Sequence, residues 1–202
     1  MSKPLPPTWD ERYGSDAYAY GTEPNAFLAD HAGRLATGGR VLSLGEGEGR
    51  NGVYLARRGL RVVGIDGSSV GLAKARKLAD AAGVSLELLQ GDLNTLEFPT
   101  EIDAVVAIFC HLPSAQRRAV HRRAEASLRS GGFVLIESYG PAQPAYATGG
   151  PKDTDMLVTP DDLVGDFAAC DVVLARALVR EVREGLLHTG TAAVTQGVFR
   201  KR

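Results

Sequence analysis

The stretch VLSLGEGEGRNG sets four glycines, Gly45, Gly47, Gly49 and Gly52, directly behind a short apolar run. Residues without a Cβ let the backbone approach a ligand closely, and a helix starting just beyond them presents free N–H groups. Asp66 ends the next apolar run, VVGIDGSS, about twenty residues on, where a carboxylate can accept hydrogen bonds from both hydroxyls of a ribose. A tight turn with a capping aspartate uses the same residue types, but the order strand, glycines, helix, strand, acid favours nucleotide recognition. Asp92, in QGDLNTLEFP after the third apolar run, is placed to hold the exocyclic amine of an adenine, with Leu93 beside it; a turn or helix cap is its other reading.

The spacing Gly47-x-Gly49-x-x-Gly52 also fits the dinucleotide pattern, so an NAD(P)-binding oxidoreductase is the rival reading. Two acids inside the loop, Glu46 and Glu48, weigh against it. Like charges a few ångström apart repel by on the order of 4 kcal/mol at an effective dielectric of about 20, and a pyrophosphate would meet both. A ligand carrying a sulfonium and an ammonium, as S-adenosylmethionine does, tolerates or prefers such acids. The Tyr-x-x-x-Lys couple of short-chain dehydrogenases is missing from the sequence. A third reading is a cofactor-binding module that acts by interaction rather than catalysis.

His111 follows the fourth apolar run directly and is the candidate general base or acceptor-orienting group, against a hydrogen-bonded structural histidine. His31, His121 and His188 are scattered and suggest no role. Trp9, Tyr13, Tyr18 and Tyr20 crowd the N-terminal stretch and either fold over a cofactor as a lid or anchor the chain end to the core. Aromatic faces near a sulfonium attract it by about 0.5–2 kcal/mol. With them, Tyr139 and Lys152 in the glycine- and proline-rich connection from Tyr139 to Met156 are the candidate acceptor pocket, because open α/β sheets bind ligands beyond their strand carboxyl ends. Arg117, Arg118, Arg122 and Arg123 read as a solvated helix face rather than an anion site. Cys110 reads as core rather than nucleophile, and neither it nor Cys170 has neighbours at zinc-ligand spacing, so no metal is expected.

The elements that would position these residues alternate regularly. Strands are predicted at 40–44, 61–65, 85–90, 102–109 and 132–138, with helices at 26–36, 51–58, 69–82, 114–128 and 160–167. Such alternation argues for βαβ units and a parallel sheet. Two long β-branched runs, Val172–Val182 and Thr189–Phe199, are separated by a turn too short for a crossover helix, so they should pair antiparallel at the sheet edge. The expected fold is α/β: a Rossmann-like, seven-stranded, mostly parallel sheet with an antiparallel C-terminal pair and helices on both faces. The 202 residues suffice for one domain,, with 1–25 as lid segment and 26–202 as core. A composition 44% hydrophobic and 23% charged with a net charge of −1 speaks against a general nucleic-acid footprint,. The sequence has no apolar run near bilayer length, and the proline-rich start, Met1 to Trp9, reads as neither signal nor transit peptide. A cytoplasmic monomer or homodimer is therefore expected.

On these residues the sequence resembles the class I S-adenosylmethionine-dependent methyltransferases. VLSLGEGEGRNGVYLA is similar to their first motif, GIDGSS to the second, GDL to the third and IDAVVAIFCHLP to the fourth. Within them GEGEGRN, SSVGLAKAR, IFCHLPS and GGPKD resemble the tellurite-resistance and thiopurine-methyltransferase-like group. The resemblance implies that Gly45, Glu46, Gly47 and Gly49 wrap the methionine part of the cofactor. It also implies that Asp66, with Gly67 and Ser68, takes the ribose, Asp92 and Leu93 the adenine, and that Phe109 lies close by. Ser43 stands where many relatives carry an acid, which leaves the amino group to Glu46 or to backbone carbonyls. The fourth motif lacks the Asn/Asp-Pro-Pro-aromatic signature of nucleic-acid N-methyltransferases. The implied acceptor is a small molecule, with a metalloid oxyanion (tellurite or selenite) or a thiol first.

Overall fold

In the computed structural model, the residues described are 8–146 and 148–202; the start of the proline-rich segment, residues 1–7, lies outside them. Seven strands form one sheet in the order β3-β2-β1-β4-β5-β7-β6. The strands are β1 (Arg40–Leu44), β2 (Arg61–Asp66), β3 (Glu87–Gln90), β4 (Ile102–Ile108), β5 (Leu128–Tyr139), β6 (Cys170–Arg183) and β7 (Thr189–Lys201). The first five pair in parallel, while β7 runs antiparallel to both β5 and β6. The helices are α1 (Trp9–Tyr13), α2 (Ala26–His31), α3 (Arg50–Arg57), α4 (Ser69–Ala81), α5 (Ser114–Ser127) and α6 (Pro160–Asp166).

The period-two geometry of a strand divides its side chains between two cores. On β4, Ile102, Val105 and Ala107 join the core that holds Val120 and Ala124 of α5 and Leu163 of α6. Ala104, Val106 and Ile108 face the other way, against Phe27 and Leu28 of α2 and Leu55 of α3. Both faces of the sheet are thus covered, which explains why β4 is almost wholly apolar. No helix among the described residues is long and apolar enough to cross a membrane.

Two expectations change on folding. The helix expected over 26–36 tightens into a 3₁₀ turn at Ala32–Arg34. The four-arginine cluster of α5 is not one solvated face: Arg118 and Arg122 are exposed, but Arg117 is buried. Its Nε donates to Asp166 at 2.7 Å and its NH2 to Asp162 at 3.1 Å, while His121 Nδ1 lies 2.8 Å from Asp166. These contacts tie α5 to α6, and the hydrogen bonds from His121 and Arg117 hold the Asp166 carboxyl below its usual range in spite of burial. Arg123 packs over Phe98 and donates to the carbonyls of Leu93, Asn94 and Leu96, pinning the loop that carries Asp92.

Candidate active site

The carboxyl ends of β1, β2, β3 and β4 open into one cavity of about 1120 Å³. Sites for a single drug-sized ligand run to roughly 300–1,000 Å³, so this one has room for two partners. Its floor is the turn after β1. Gly49 starts α3 at φ 94°, in the left-handed region, and a Cβ there would lie 2.7 Å from Ala75 Cα in α4. A Cβ on Gly47 would meet the Tyr13 hydroxyl at 2.8 Å. The glycines therefore admit α4 and the aromatic segment to the loop as well as a ligand.

Asp66 organises this turn. Its Oδ2 accepts from Gly47 N at 2.8 Å and its Oδ1 from Ser68 N at 2.8 Å. Burial pushes its carboxyl up, and the two N–H donors oppose that rise. Glu46 turns beneath the loop, where its Oε1 accepts from Gly52 N at 2.8 Å and its Oε2 has no partner. Burial raises its pKa to about 7 against the hydrogen bonds from Ser43 and Gly52. Glu48 behaves differently: it pairs with Lys74, whose Nζ also donates to the carbonyls of Tyr13, Ser15 and Ala17. Only one of the two loop acids thus stays uncompensated, which halves the charge argument made from sequence.

Of the residues proposed from sequence for the cofactor, Gly45, Glu46, Gly47, Asp66, Gly67, Asp92, Leu93 and Phe109 line the cavity. Gly49 and Ser68 do not: the first is packed by Ala75, and the second caps α4 and donates to Asp10. Asp92 sits exposed at the rim and closes a turn by accepting from Asn94, so both of its expected roles are compatible with its place. Phe109 has φ 53°, a strained conformation for a bulky residue,. It stands at the meeting point of Tyr139 (4.9 Å) and His188 (4.4 Å).

The acceptor candidates Trp9, Tyr13, Tyr20, Tyr139 and Lys152 also line the cavity. Tyr18 does not: it packs under Lys74, to whose carbonyl its hydroxyl donates. The aromatic segment is clasped to α4 through Asp10, which accepts from Ser68 Oγ and Val70 N. His111 stacks on Tyr139 at 5.3 Å, and its buried Nδ1 has no partner. Burial, then the neighbouring His188 and Arg12, lower its pKa to about 4, so it is neutral at pH 7 but a weak base. Cys110 packs against Gly45, and burial raises its thiol to about 12, which disfavours a thiolate nucleophile.

Sequence reasoning missed Arg50 and His188, both buried at the cavity wall. Arg50 NH2 donates to Glu184 at 2.5 Å, and His188 Nδ1 lies 3.3 Å from the same carboxylate oxygen. Glu184 also accepts from Asn25 and Arg180, and both of these donate to Glu137 of β5. Only the GRN that closes the glycine motif could have flagged Arg50, and nothing in the turn sequence marks His188.

Residues 41–132 match the model of a methyltransferase domain family. A Geobacillus sp. (strain WCH70) protein, provisionally named a methyltransferase, is 33% identical over 103 residues, 48% of this chain and 41% of that protein. The match thus spans about two fifths of the curated relative's length. TehB from Haemophilus influenzae superposes with a TM-score of 0.73 at 16% identity, covering 96% of this chain and 66% of that one. An S-adenosylmethionine-dependent methyltransferase from Methanosarcina mazei gives 0.69 at 16%, covering 89% and 98%. A protein described with the conversion of a disulfide bond into a thioacetal group during echinomycin biosynthesis gives 0.73 at 21%, covering 95% and 87%. Residues 41–132 thus match a methyltransferase domain, and the fold is one shared with solved S-adenosylmethionine-dependent methyltransferases. The cofactor of that class is S-adenosylmethionine.

Proposed function

We propose that this protein transfers the methyl group of S-adenosylmethionine to a small acceptor bound under the aromatic segment. The observation that carries the reading is a pair of orphaned buried atoms on residues that line the cavity. Glu46 Oε2 is an acceptor without a donor, and Arg50 NH1 is a donor without an acceptor. An unsatisfied buried polar group costs about 1–3 kcal/mol, and a ligand end bearing both an ammonium and a carboxylate would satisfy the two together. In this reading Asp66 takes the ribose diol, and Asp92 and Leu93 the adenine. The cofactor supplies an activated methyl group on a sulfonium. The chain's own task is then to place an acceptor atom in line and keep bulk water out, which can lower a barrier by roughly 7–11 kcal/mol.

The aromatic wall of Phe109, Tyr139 and His188 suits a soft, apolar acceptor, and a thiol is the first choice. A tellurite or selenite anion is the second reading; Arg12 and Lys152 on the cavity wall favour it. Calorimetric titration with S-adenosylhomocysteine and with NADH tests the class. Tight binding of the first and none of the second is expected, and the reverse result would return the site to the oxidoreductase reading. Transfer of labelled methyl to a panel of thiols, tellurite and selenite tests the acceptor. The protein is taken to act as a single methyltransferase domain, monomeric or as a homodimer, without nucleic acid.

A further inference from the structure

The cavity holds two histidines, and their surroundings differ in one respect that matters for proton transfer. His111 packs against the rings of Phe109 and Tyr139, and its buried Nδ1 has no carboxylate partner. His188, 2% exposed in the loop between β6 and β7, directs Nδ1 to the carboxylate of Glu184 at 3.3 Å. Glu184 is itself fixed by Arg50, Arg180 and Asn25. Burial alone would raise that carboxyl; the His188 contact and the Arg50 charge outweigh it and hold it far below its usual range, so it is ionised. A carboxylate on Nδ1 sets the tautomer, keeping the proton there and leaving Nε2 as the basic atom. His188 Nε2 is buried without a hydrogen-bond partner.

We propose that His188 is the general base of this site, oriented by Glu184, and that the acceptor is a neutral thiol that must lose its proton to react. The inference rests on the methyltransferase reading above. In the step, the acceptor S–H gives its proton to His188 Nε2 as its sulfur attacks the methyl carbon. A carbon–sulfur bond forms to the acceptor while the sulfonium's bond to methyl breaks, and the electron pair of that bond stays on the leaving thioether. The imidazolium then releases its proton to water when the product departs. The groups that face His188 are Glu184 and Arg50 on one side and Tyr20, Phe109, Tyr139 and His111 on the other. The rings of Tyr20, Phe109 and Tyr139 pack edge-on against the His188 imidazole, which lines the cavity with them, and the acceptor approaches Nε2 past these rings. Tyr20 belongs to the segment that meets this loop through the hydrogen bond from Leu187 N to Ala19 O.

An arriving anion needs no base, and this separates the proposal from a structural role for the histidine. The test compares His188→Gln with wild type on benzyl thiol, protonated at neutral pH, and on a nitrothiophenol, already ionised. A positioned base contributes about 10²–10⁴-fold, so the variant should lose at least about 100-fold in kcat on benzyl thiol. The acid limb of the pH–rate profile should vanish with it. Its rate on the nitrothiophenolate should change by less than about 5-fold, with S-adenosylhomocysteine affinity kept. Independently of turnover, ¹⁵N-histidine NMR of the free protein should show His188 as the Nδ1–H tautomer, and Glu184→Gln should weaken that preference. Equal loss on both thiols overturns the base role. Transfer by wild type to tellurite or selenite but to no thiol overturns the acceptor class, as does binding of S-adenosylhomocysteine with no transfer to any probe. Failure to bind S-adenosylhomocysteine at all overturns the methyltransferase reading itself.

Discussion

The two ends of the cavity are built by different means. At the end proposed for the nucleotide, β1, the glycine turn, α3 and β2 follow one another in the chain. The turn there is held by bonds from backbone N–H groups to Asp66 and Glu46, each spanning 19 residues or fewer. At the end proposed for the acceptor, residues from α3, β5, β6 and the segment before α2 meet through charged and polar side chains. Asn25 and Glu184, hydrogen-bonded at 2.8 Å, are 159 residues apart. The same residue type behaves in opposite ways at the two ends. Glu46, lacking a cation in contact, is pushed up to about 7, whereas Glu184, clamped by Arg50, Arg180 and His188, is driven down. A backbone-built site tolerates one poised acid; a side-chain-built one must balance every charge it buries.

The largest effect that would test this contrast is at Glu137, fully buried and holding Arg180, Asn25 and Gln196. Removing one partner of a buried pair strands the other, so Glu137→Ala should cost about 3–5 kcal/mol. Thermal unfolding should then begin about 10 °C lower, at roughly 2–4 °C per kcal/mol for a chain of this length. A loss under about 1 kcal/mol would mean that the network does not hold the acceptor end together.

Next is Asp66→Ala, which strands the N–H groups of Gly47 and Ser68 and removes the proposed diol contact. Affinity for S-adenosylhomocysteine should fall about 100-fold, or about 2.7 kcal/mol. Unchanged calorimetric affinity would detach the nucleotide end from the cofactor.

Glu46 sharpens the contrast through pH. Its folded pKa lies above its unfolded value, so between about 4.5 and 7 the native state binds a proton that the unfolded chain does not. Stability from this group therefore falls as pH rises through that window and stays low above it. Glu46→Gln should stabilise the ligand-free protein at pH 8 by about 1–3 kcal/mol and by far less at pH 4.5. Urea melts at the two pH values would show it, and a variant no more stable than wild type at pH 8 would refute the poised acid. The smallest expected effect is at Arg123, which pins the Asp92 loop to α5. Arg123→Ala should cost about 1 kcal/mol and weaken S-adenosylhomocysteine several-fold, and its kcat at saturating cofactor should not move.

The nucleotide end was readable because its signals are local. Gly45, Gly47 and Asp66 stand at fixed offsets from strand ends, and strand periodicity placed those ends within a residue or two. Ser68 and Gly49 fell on the right motif but not on the cavity, since one caps a helix and the other yields to Ala75. Arg117 looked solvated because helix spacing cannot show that α6 brings Asp162 and Asp166 to it. The strained turn at Phe109 left no trace in composition.

Alternation of apolar runs determined the sheet, its antiparallel closing pair and the place of the glycine turn, because backbone hydrogen bonding and face burial act over a few residues. Tertiary packing alone decided which cavity histidine meets a carboxylate and which of the loop acids is left without a cation. Both depend on side chains that reach across the sheet, and in a low-dielectric interior the partner, not the residue type, sets the chemistry.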